Sequence, residues 1–202
     1  MAMNQRLYGS LVVLGLAVGG CGSDQGPALR FTHVERGPAA EATTIWPEPG
    51  SPARVFIFVR TDCPIANRCA PEIKSLREGF GDVAEFVLVY CSERESMSQI
   101  ADHAAEFYDS QIPVLRDGHH ELVAACSVST TPEAVVYDND GQLIYRGRID
   151  DRYVDFGETR AEPTKRDLLE VLVALRSRQP VSFRETRAIG CPLTPLPTDV
   201  EH

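Results

Sequence analysis

Apolar residues follow two patterns that alternate along the chain. Residues 53–59 and 83–91 are nearly continuous apolar runs, which predict strands buried on both faces of a sheet. Residues 112–117 form a shorter strand-like run, and residues 28–35 alternate weakly, as an edge strand does. Four further segments have the spacing or composition of helices: 66–81, 96–108, 118–128 and 162–178.

Turn-forming residues delimit the remaining elements. Residues 132–149 contain two apolar runs joined by Asn-Asp-Gly, which predicts a β-hairpin because these residues tolerate a positive φ. Pro71 lies inside the first helix and predicts a kink or an irregular first turn. Thr164 is a suitable N-cap for the last helix. The chain after residue 178 contains four prolines and should be extended.

The order of these elements indicates the fold class. Strands that alternate with helices predict a parallel sheet core, to which the hairpin adds antiparallel strands. No internal repeat is visible in the sequence. We therefore expect an α/β protein with a mixed central sheet, helices on its faces and an extended C-terminal tail.

Composition and charge indicate a single globular domain and argue against some classes of partner. The 202 residues are 43% hydrophobic and 24% charged, which is enough apolar material for one domain with a core. The formal net charge is −9, and no cluster of lysine and arginine stands out. Nucleic acid is therefore not expected as a partner.

The N-terminus has the pattern of an export signal. A basic start at Arg6 is followed by an apolar run too short to span a bilayer and then by small residues. The sequence Val-Gly-Gly-Cys that ends at Cys21 resembles a bacterial lipobox. We expect a signal peptide over residues 1–20 and a lipid on Cys21. The protein would then be an exported lipoprotein, anchored in a membrane and facing the periplasm or the outer surface; alternatively, Cys21 only lies near the cleavage site.

Export changes what the cysteines imply. Disulfides persist in oxidising compartments. Without Cys21 an odd number of cysteines is left, so at most two bridges can form inside the chain and one thiol remains free. These five are Cys63, Cys69, Cys91, Cys126 and Cys191.

Four short motifs carry a resemblance to a known family. They are Asp-Cys-Pro-Ile at 62–65, Thr-Pro-Glu at 131–133, the segment 145–153 and Gly-Cys at 190–191. Together with the element order, they resemble the thioredoxin fold and, more narrowly, exported redoxins of the alkyl hydroperoxide reductase/thiol-specific antioxidant-like family. The resemblance covers residues 53–178. Together with the N-terminal export pattern and the prolines of the tail, it divides the chain into a signal peptide (1–20), a lipid-anchored tether and N-terminal extension (21–52), a thioredoxin-like domain (53–178) and a proline-rich tail (179–202).

Cys63 is the candidate nucleophile. It follows a buried strand and precedes a helix, whose N-terminus has unpaired N–H groups and about half a positive charge. Both favour the thiolate, which is the reactive form of cysteine. Pro64 suits the first helical position. Asp62 would oppose the thiolate if it pointed inward, and Arg60 would favour it. The alternative is a buried structural cysteine.

The resemblance also assigns a role to Thr131 and Pro132. It implies a cis peptide bond before Pro132, which would let Thr131 present its backbone to an extended substrate opposite Cys63. Pro64, Thr131 and Pro132 are therefore expected at the substrate site. The alternative for Pro132 is an ordinary trans proline at the start of a strand.

A partner for Cys63 is less obvious, because Ala66 occupies the position of the usual second cysteine. Cys69 lies six residues along the helix, about 9 Å in rise and 240° in rotation. A disulfide needs Cα atoms within about 7 Å of each other, so this pair would require an unwound helix. Cys191 lies on a tail that can fold back, and we expect it to be the resolving cysteine. Cys69, Cys91 and Cys126 are expected to be structural, with a bridge between two of them left open.

The predicted function is thiol–disulfide oxidoreductase, acting on protein thiols and disulfides without a cofactor or metal. A thiol peroxidase is the first alternative, although Arg60 stands where peroxiredoxins have a threonine or serine. A copper-binding assembly protein is the second, because thiolates suit copper(I). The polar residues 150–152 are expected to form a solvated turn.

Overall fold

A computed structural model describes residues 31–37, 45–46 and 50–194. Its strands are β1 (Glu35–Arg36), β2 (Ala53–Val59), β3 (Ala84–Tyr90), β4 (Val114–Arg116), β5 (Thr130–Thr131), β6 (Glu133–Tyr137), β7 (Leu143–Gly147), β8 (Tyr153–Asp155), β9 (Glu158–Thr159), β10 (Arg184–Glu185) and β11 (Cys191–Pro192). Its helices are α1 (Pro64–Phe80), α2 (Met97–Phe107), α3 (Glu121–Cys126) and α4 (Asp167–Arg176).

The main sheet has seven strands in the order β1-β4-β3-β2-β6-β7-β10. Strands β2, β3 and β4 run parallel, whereas β6 is antiparallel to both β2 and β7. β1 forms an antiparallel edge against β4 and overlaps the predicted segment 28–35 only at Glu35; residues 28–30 lie outside the described residues. The predicted combination of a parallel core, a hairpin and a mixed sheet is therefore confirmed.

Strand β2 lies at the centre of the sheet because all of its residues are apolar except Arg54. Its alternate residues enter two separate cores, as the two-residue period of a strand requires. Val55 and Ile57 pack on the face that α1, α2 and α4 cover. Phe56 and Phe58 pack on the opposite face with α3. The continuous apolar run in the sequence reflects this burial on both faces.

Helix α1 continues through Pro71 without interruption, so the irregular first turn predicted from that proline is wrong. Six of its residues face the core: Ala66, Cys69, Ala70, Ile73, Leu76 and Phe80. This apolar stripe fixes the helix against the sheet.

Residues 150–152 do not form the solvated turn that their polarity predicts. The Asp150 and Asp151 side chains are buried. Asp151 accepts hydrogen bonds from the Thr164 hydroxyl, at 2.5 Å, and from the Thr164 and Lys165 N–H groups. The Thr164 hydroxyl, followed by the Lys165 N–H, lowers the pKa of Asp151 to about 2. The Asp151 carboxylate, and not solvent, therefore accepts the hydrogen bonds of Thr164 and Lys165.

The same contacts correct the start of the last helix. Thr164 does not cap it, because the Thr164 hydroxyl is bound to Asp151. α4 begins at Asp167. Arg166 occupies the N-cap position, but its side chain makes no capping hydrogen bond. Asp167 forms an ion pair with Arg148 at 2.7 Å.

The C-terminal tail returns across the sheet in two steps. β10 pairs in parallel with β7, where Gly147 has a positive φ of 145° and a Cβ would lie 2.3 Å from the Thr186 carbonyl oxygen. β11 then pairs antiparallel with β5. The tail is extended over its described part, as predicted; residues 195–202 lie outside it.

The predicted signal peptide and Cys21 also lie outside the described residues. Within the described ranges, no helix is long and apolar enough to cross a bilayer.

Candidate active site

Cys63 caps the N-terminus of α1. The Ala66 N–H donates to its Sγ at 3.4 Å, and the Asn67 N–H donates to its carbonyl oxygen at 3.1 Å. Pro64 occupies the first helical turn, where no N–H is needed. The predicted placement of Cys63 between β2 and α1 is confirmed, and its sulfur faces the positive end of the helix.

Residues 130–132 lie across from this helix end. The bond between Thr131 and Pro132 is cis, as the family resemblance implies. The Cys63 thiol donates to the Thr131 carbonyl oxygen at 3.1 Å. Thr131 is thus the backbone neighbour of the sulfur.

The tail brings a second sulfur to the same place. Cys191 pairs with Thr131 in the register of β11 and β5. The Thr130 hydroxyl donates to the Cys191 carbonyl oxygen at 3.0 Å, and the Leu193 N–H donates to the Ser129 carbonyl oxygen at 2.9 Å. Both thiols are free in this structure. Cys63 and Cys191, which are 128 residues apart in the sequence, are therefore neighbours in the fold.

The environment distinguishes the two thiols. Cys63 has no solvent-exposed surface, whereas Cys191 is half-buried. Burial, followed by the hydrogen bond and charge interaction with Cys63, raises the pKa of Cys191 to about 12. At neutral pH, Cys191 is consequently a protonated thiol that can hydrogen-bond to its neighbour.

Glu95 supports the turn before Cys63, and the sequence offered no signal for it. Its carboxylate accepts the Thr61 N–H at 2.6 Å and the Thr61 hydroxyl at 2.7 Å. Its other oxygen is buried without a partner among the described residues. Burial raises the pKa of Glu95. A carboxyl group that lies after β3 thus fixes the residue two positions before the nucleophile.

A buried chain of hydrogen bonds approaches the same turn from α2. The Asn67 amide donates to the Thr61 carbonyl oxygen at 3.2 Å, and its oxygen lies 3.0 Å from His103 Nε2. His103 Nδ1 lies 3.0 Å from the Tyr90 hydroxyl. Burial lowers the pKa of His103, which favours the neutral ring. None of these residues was predicted, because only the fold makes them neighbours.

The charged residues beside Cys63 largely neutralise each other. Arg60 donates to Asp62 at 2.7 Å, and Asp62 points outward with 66% of its side chain exposed. Arg60 also borders an open cleft of about 460 Å³ with Glu95 and the tail residues Leu193 and Thr194. Asp62 therefore does not point inward at the sulfur.

The other cysteines are buried. Burial raises the pKa of the Cys69 and Cys126 thiols to about 12, and it also raises the pKa of Cys91. All three are free thiols. Among the described residues, no group of three or more histidine, cysteine, aspartate or glutamate side chains could hold a metal ion.

Comparison with known proteins identifies the fold. No protein-family model and no curated protein matches the chain. An uncharacterised conserved protein from Geobacillus kaustophilus is similar in structure, with a TM-score of 0.62, 23% identity and coverage of 73% of this chain and 79% of its own. A hypothetical protein from Sinorhizobium meliloti 1021 has a TM-score of 0.61, 21% identity and coverage of 71% and 79%.

A third solved structure is similar to this chain and indicates the type of fold. It is the solution structure of a thioredoxin-like protein in the oxidised form, with a TM-score of 0.50, 20% identity and coverage of 65% of this chain and 82% of its own. At these identities the similarity concerns the fold. The chain has a thioredoxin-like fold, as the motifs around Cys63 predict.

Proposed function

We propose that the protein is a thiol–disulfide oxidoreductase in which Cys63 is the nucleophile and Cys191 is the resolving thiol. The observation that carries this proposal is the pairing of β11 with β5, which holds Cys191 beside a cysteine at a helix N-terminus. Its substrates would be the disulfides and thiols of polypeptides.

The reduction of a substrate disulfide proceeds in two exchanges. The Cys63 thiolate attacks one substrate sulfur, so that a mixed disulfide forms and the other substrate sulfur leaves as a thiolate that takes a proton. The Cys191 thiol then loses its proton to solvent and attacks Cys63 Sγ. The Cys63–Cys191 disulfide forms and the substrate leaves as a dithiol. An external dithiol returns the protein to its reduced form; the reverse sequence oxidises a substrate dithiol.

The contacts around Cys63 suit these steps. The Ala66 N–H donates to its sulfur, which stabilises negative charge there when the thiolate forms or leaves. The high pKa of Cys191 keeps it from competing for the substrate, and it requires deprotonation before the second exchange. The two sulfurs would therefore have separate tasks.

No observation favours the peroxidase alternative over this proposal. The Thr61 hydroxyl is bound to Glu95, and the Arg60 side chain is paired with Asp62. Neither contact supplies Cys63 with the hydroxyl partner that peroxiredoxins place before their cysteine.

We also propose that the protein is exported and held at a membrane through a lipid on Cys21, on the pattern of residues 1–21. Replacing Cys21 by serine should move the protein from the membrane fraction to the soluble fraction of expressing bacteria. An unmodified mature N-terminus at another residue, found by mass spectrometry, would contradict the anchor.

The redox assignment is tested by peptide mapping and exchange kinetics. We expect air oxidation to give a Cys63–Cys191 bridge. Cys63→Ser should lower the rate of exchange with a model disulfide peptide by at least about 100-fold, since the nucleophile is lost. Cys191→Ser should retain the first attack and accumulate the mixed disulfide. Cys69→Ser is the matched control and should behave as the parent protein. A Cys63–Cys69 bridge would overturn the assignment.

A further inference from the structure

The proposed nucleophile cannot be reached by a substrate in this structure. Cys63 has no exposed surface, although Asp62 and Pro64 on either side of it are exposed. Its sulfur interacts with the Ala66 N–H and the Thr131 carbonyl oxygen, and Cys191 lies opposite Thr131 in the register of β11 and β5. The first two groups belong to the packed body of the fold, whereas Cys191 belongs to the tail. A substrate sulfur therefore reaches Cys63 only if the tail moves.

The tail strand at this point is short. β11 has two residues, and one of them, Pro192, has no N–H to donate. Around it, the Leu193 N–H donates to the Ser129 carbonyl oxygen, and the Cys191 carbonyl oxygen accepts from the Thr130 hydroxyl at 3.0 Å and the Thr131 hydroxyl at 3.5 Å. Few groups have to separate for the strand to leave.

The edge that β11 covers is suited to an extended polypeptide. Among the described strands, β5 pairs only with β11. Removal of the tail would free the Ser129 carbonyl oxygen and the Thr130 hydroxyl beside Cys63. An added strand can satisfy both groups through its own backbone.

Gly190 shows what such a strand requires. A Cβ at this position would lie 2.1 Å from the Thr131 carbonyl oxygen and 2.6 Å from its carbon. These are backbone atoms that cannot move aside as the end of a flexible side chain could. A polypeptide in the same register therefore needs glycine immediately before its cysteine.

Building on the proposed function, we propose that residues 190–193 occupy the substrate site as an internal stand-in. The substrate is then an extended polypeptide with a Gly-Cys step, which displaces the tail and pairs with β5. The tail and the substrate compete for one edge, and the redox state of Cys63 and Cys191 decides how firmly the tail holds it.

The exchange of strands accompanies the exchange of sulfurs. In the oxidised protein, a substrate thiolate attacks Cys63 Sγ, the Cys63–Cys191 bond breaks, and Cys191 leaves as a thiolate that takes a proton. The released tail vacates β5, where the substrate strand now pairs. A second substrate thiolate then attacks the substrate sulfur bound to Cys63. The substrate becomes a disulfide, and Cys63 leaves reduced.

Access to Cys63 is the first test. The reduced full-length protein is treated with iodoacetamide, and modification of Cys63 is followed by peptide mapping. Gly190→Ala should lift the tail and raise the Cys63 alkylation rate at least about tenfold, because opening then ceases to limit access. Gly79→Ala is the matched control, since nothing lies within 4 Å of its added Cβ. Equal rates in the parent and in Gly190→Ala would overturn the proposal.

Selection for glycine is the second test, in the double variant Gly190→Ala, Cys191→Ser. A peptide copying residues 187–194, with its cysteine activated as a thionitrobenzoate disulfide, should react with Cys63 at least about tenfold faster than the same peptide with alanine before the cysteine. Equal rates for the two peptides would overturn the Gly-Cys requirement while leaving the proposed redox function intact.

A third measurement can overturn the proposed redox function while leaving the proposed substrate edge intact. Fluorescent versions of both peptides with serine in place of cysteine are titrated into the same double variant, and binding is followed by anisotropy. Binding that prefers the glycine peptide, without exchange at Cys63 by the activated peptides, would support the shared edge and overturn the redox function. Equal binding of the two serine peptides would overturn the shared edge.

Discussion

The two cysteines of the site lie in regions that are held in different ways. Cys63 begins α1, a 17-residue helix with six residues facing the core. Cys191 lies in a two-residue strand beyond the last helix, and each of the hydrogen bonds around it is worth about 0.5–1.5 kcal/mol. One sulfur is attached to the packed body and the other to a segment that can open locally. The difference suits a fixed nucleophile with a movable partner.

The largest expected effect on stability comes from joining the helix and the tail through a disulfide. A Cys63–Cys191 bridge would close a loop of more than a hundred residues, for which the chain-entropy model gives about 4–5 kcal/mol of stabilisation. We expect the oxidised protein to unfold at higher urea concentration than the reduced one.

Two variants serve as controls for this measurement. Cys191→Ser should abolish the difference between oxidised and reduced protein, whereas Cys69→Ser should keep it. A reduced form that is as stable as the oxidised one would contradict the pairing.

Substitutions of apolar residues compare how firmly helix α1 and the C-terminal tail are packed. Ile73 is fully buried on α1, so Ile73→Ala should destabilise the protein by about 2–5 kcal/mol. Leu193 is half-buried against the second core, so Leu193→Ala should cost about 1 kcal/mol. Urea denaturation measures both values. Similar losses at the two positions would show that the tail is as firmly packed as the helix.

The protonation of Cys191 depends on its neighbour. With a pKa of about 12, the Cys191 thiol should react with iodoacetamide slowly at pH 8 and about tenfold faster for each pH unit up to pH 11. Cys63→Ala removes the hydrogen bond and the charge interaction, so labelling of Cys191 at pH 8 should rise. No change in this variant would mean that burial alone sets the pKa.

The same shift gives a stability effect with a defined sign. The folded pKa of Cys191 is raised above the ordinary value of 9.0, so the native state retains the proton more tightly. This contribution is fully present below pH 9 and is lost as the pH rises towards 12. Denaturation of the reduced protein at alkaline pH measures it, with Cys191→Ser as the control.

The smallest expected effect concerns the body of the fold rather than the tail. The folded pKa of Asp151 is lowered to about 2, so its contribution to stability is present above the unfolded value of about 3.9 and is lost as the pH falls towards 2. Thr164→Val removes the hydroxyl donor and should move acid unfolding to slightly higher pH. Thr159→Val, at an exposed strand position, should not move it.

Local sequence determined much of the body. The apolar run of β2 specified a strand buried on both faces, and Gly141, with a φ of 73°, lies in the predicted hairpin turn. The position of Cys63 before Pro64 specified a helix N-terminus, because proline at that point loses no hydrogen bond. These features depend on residues within a few positions of one another.

The tertiary structure decided what the polar side chains do. Thr164 suits a helix cap by its type, yet its hydroxyl binds Asp151, which lies thirteen residues earlier. Glu95 holds Thr61 across 34 positions, and no local pattern marks it. A buried carboxylate takes whichever donors the fold brings near, because leaving it unpaired costs more than the local interaction that the donor gives up.

The tail shows both contributions at one site. The prolines after residue 178 and the missing cysteine at Ala66 were sufficient to predict an extended segment with Cys191 as the candidate partner. Only the folded chain places Gly190 against the Thr131 carbonyl oxygen, to which the buried Cys63 thiol donates. The sequence determines which residues can make such a contact. The contact itself joins segments about sixty residues apart, so its formation depends on the packing of everything between them.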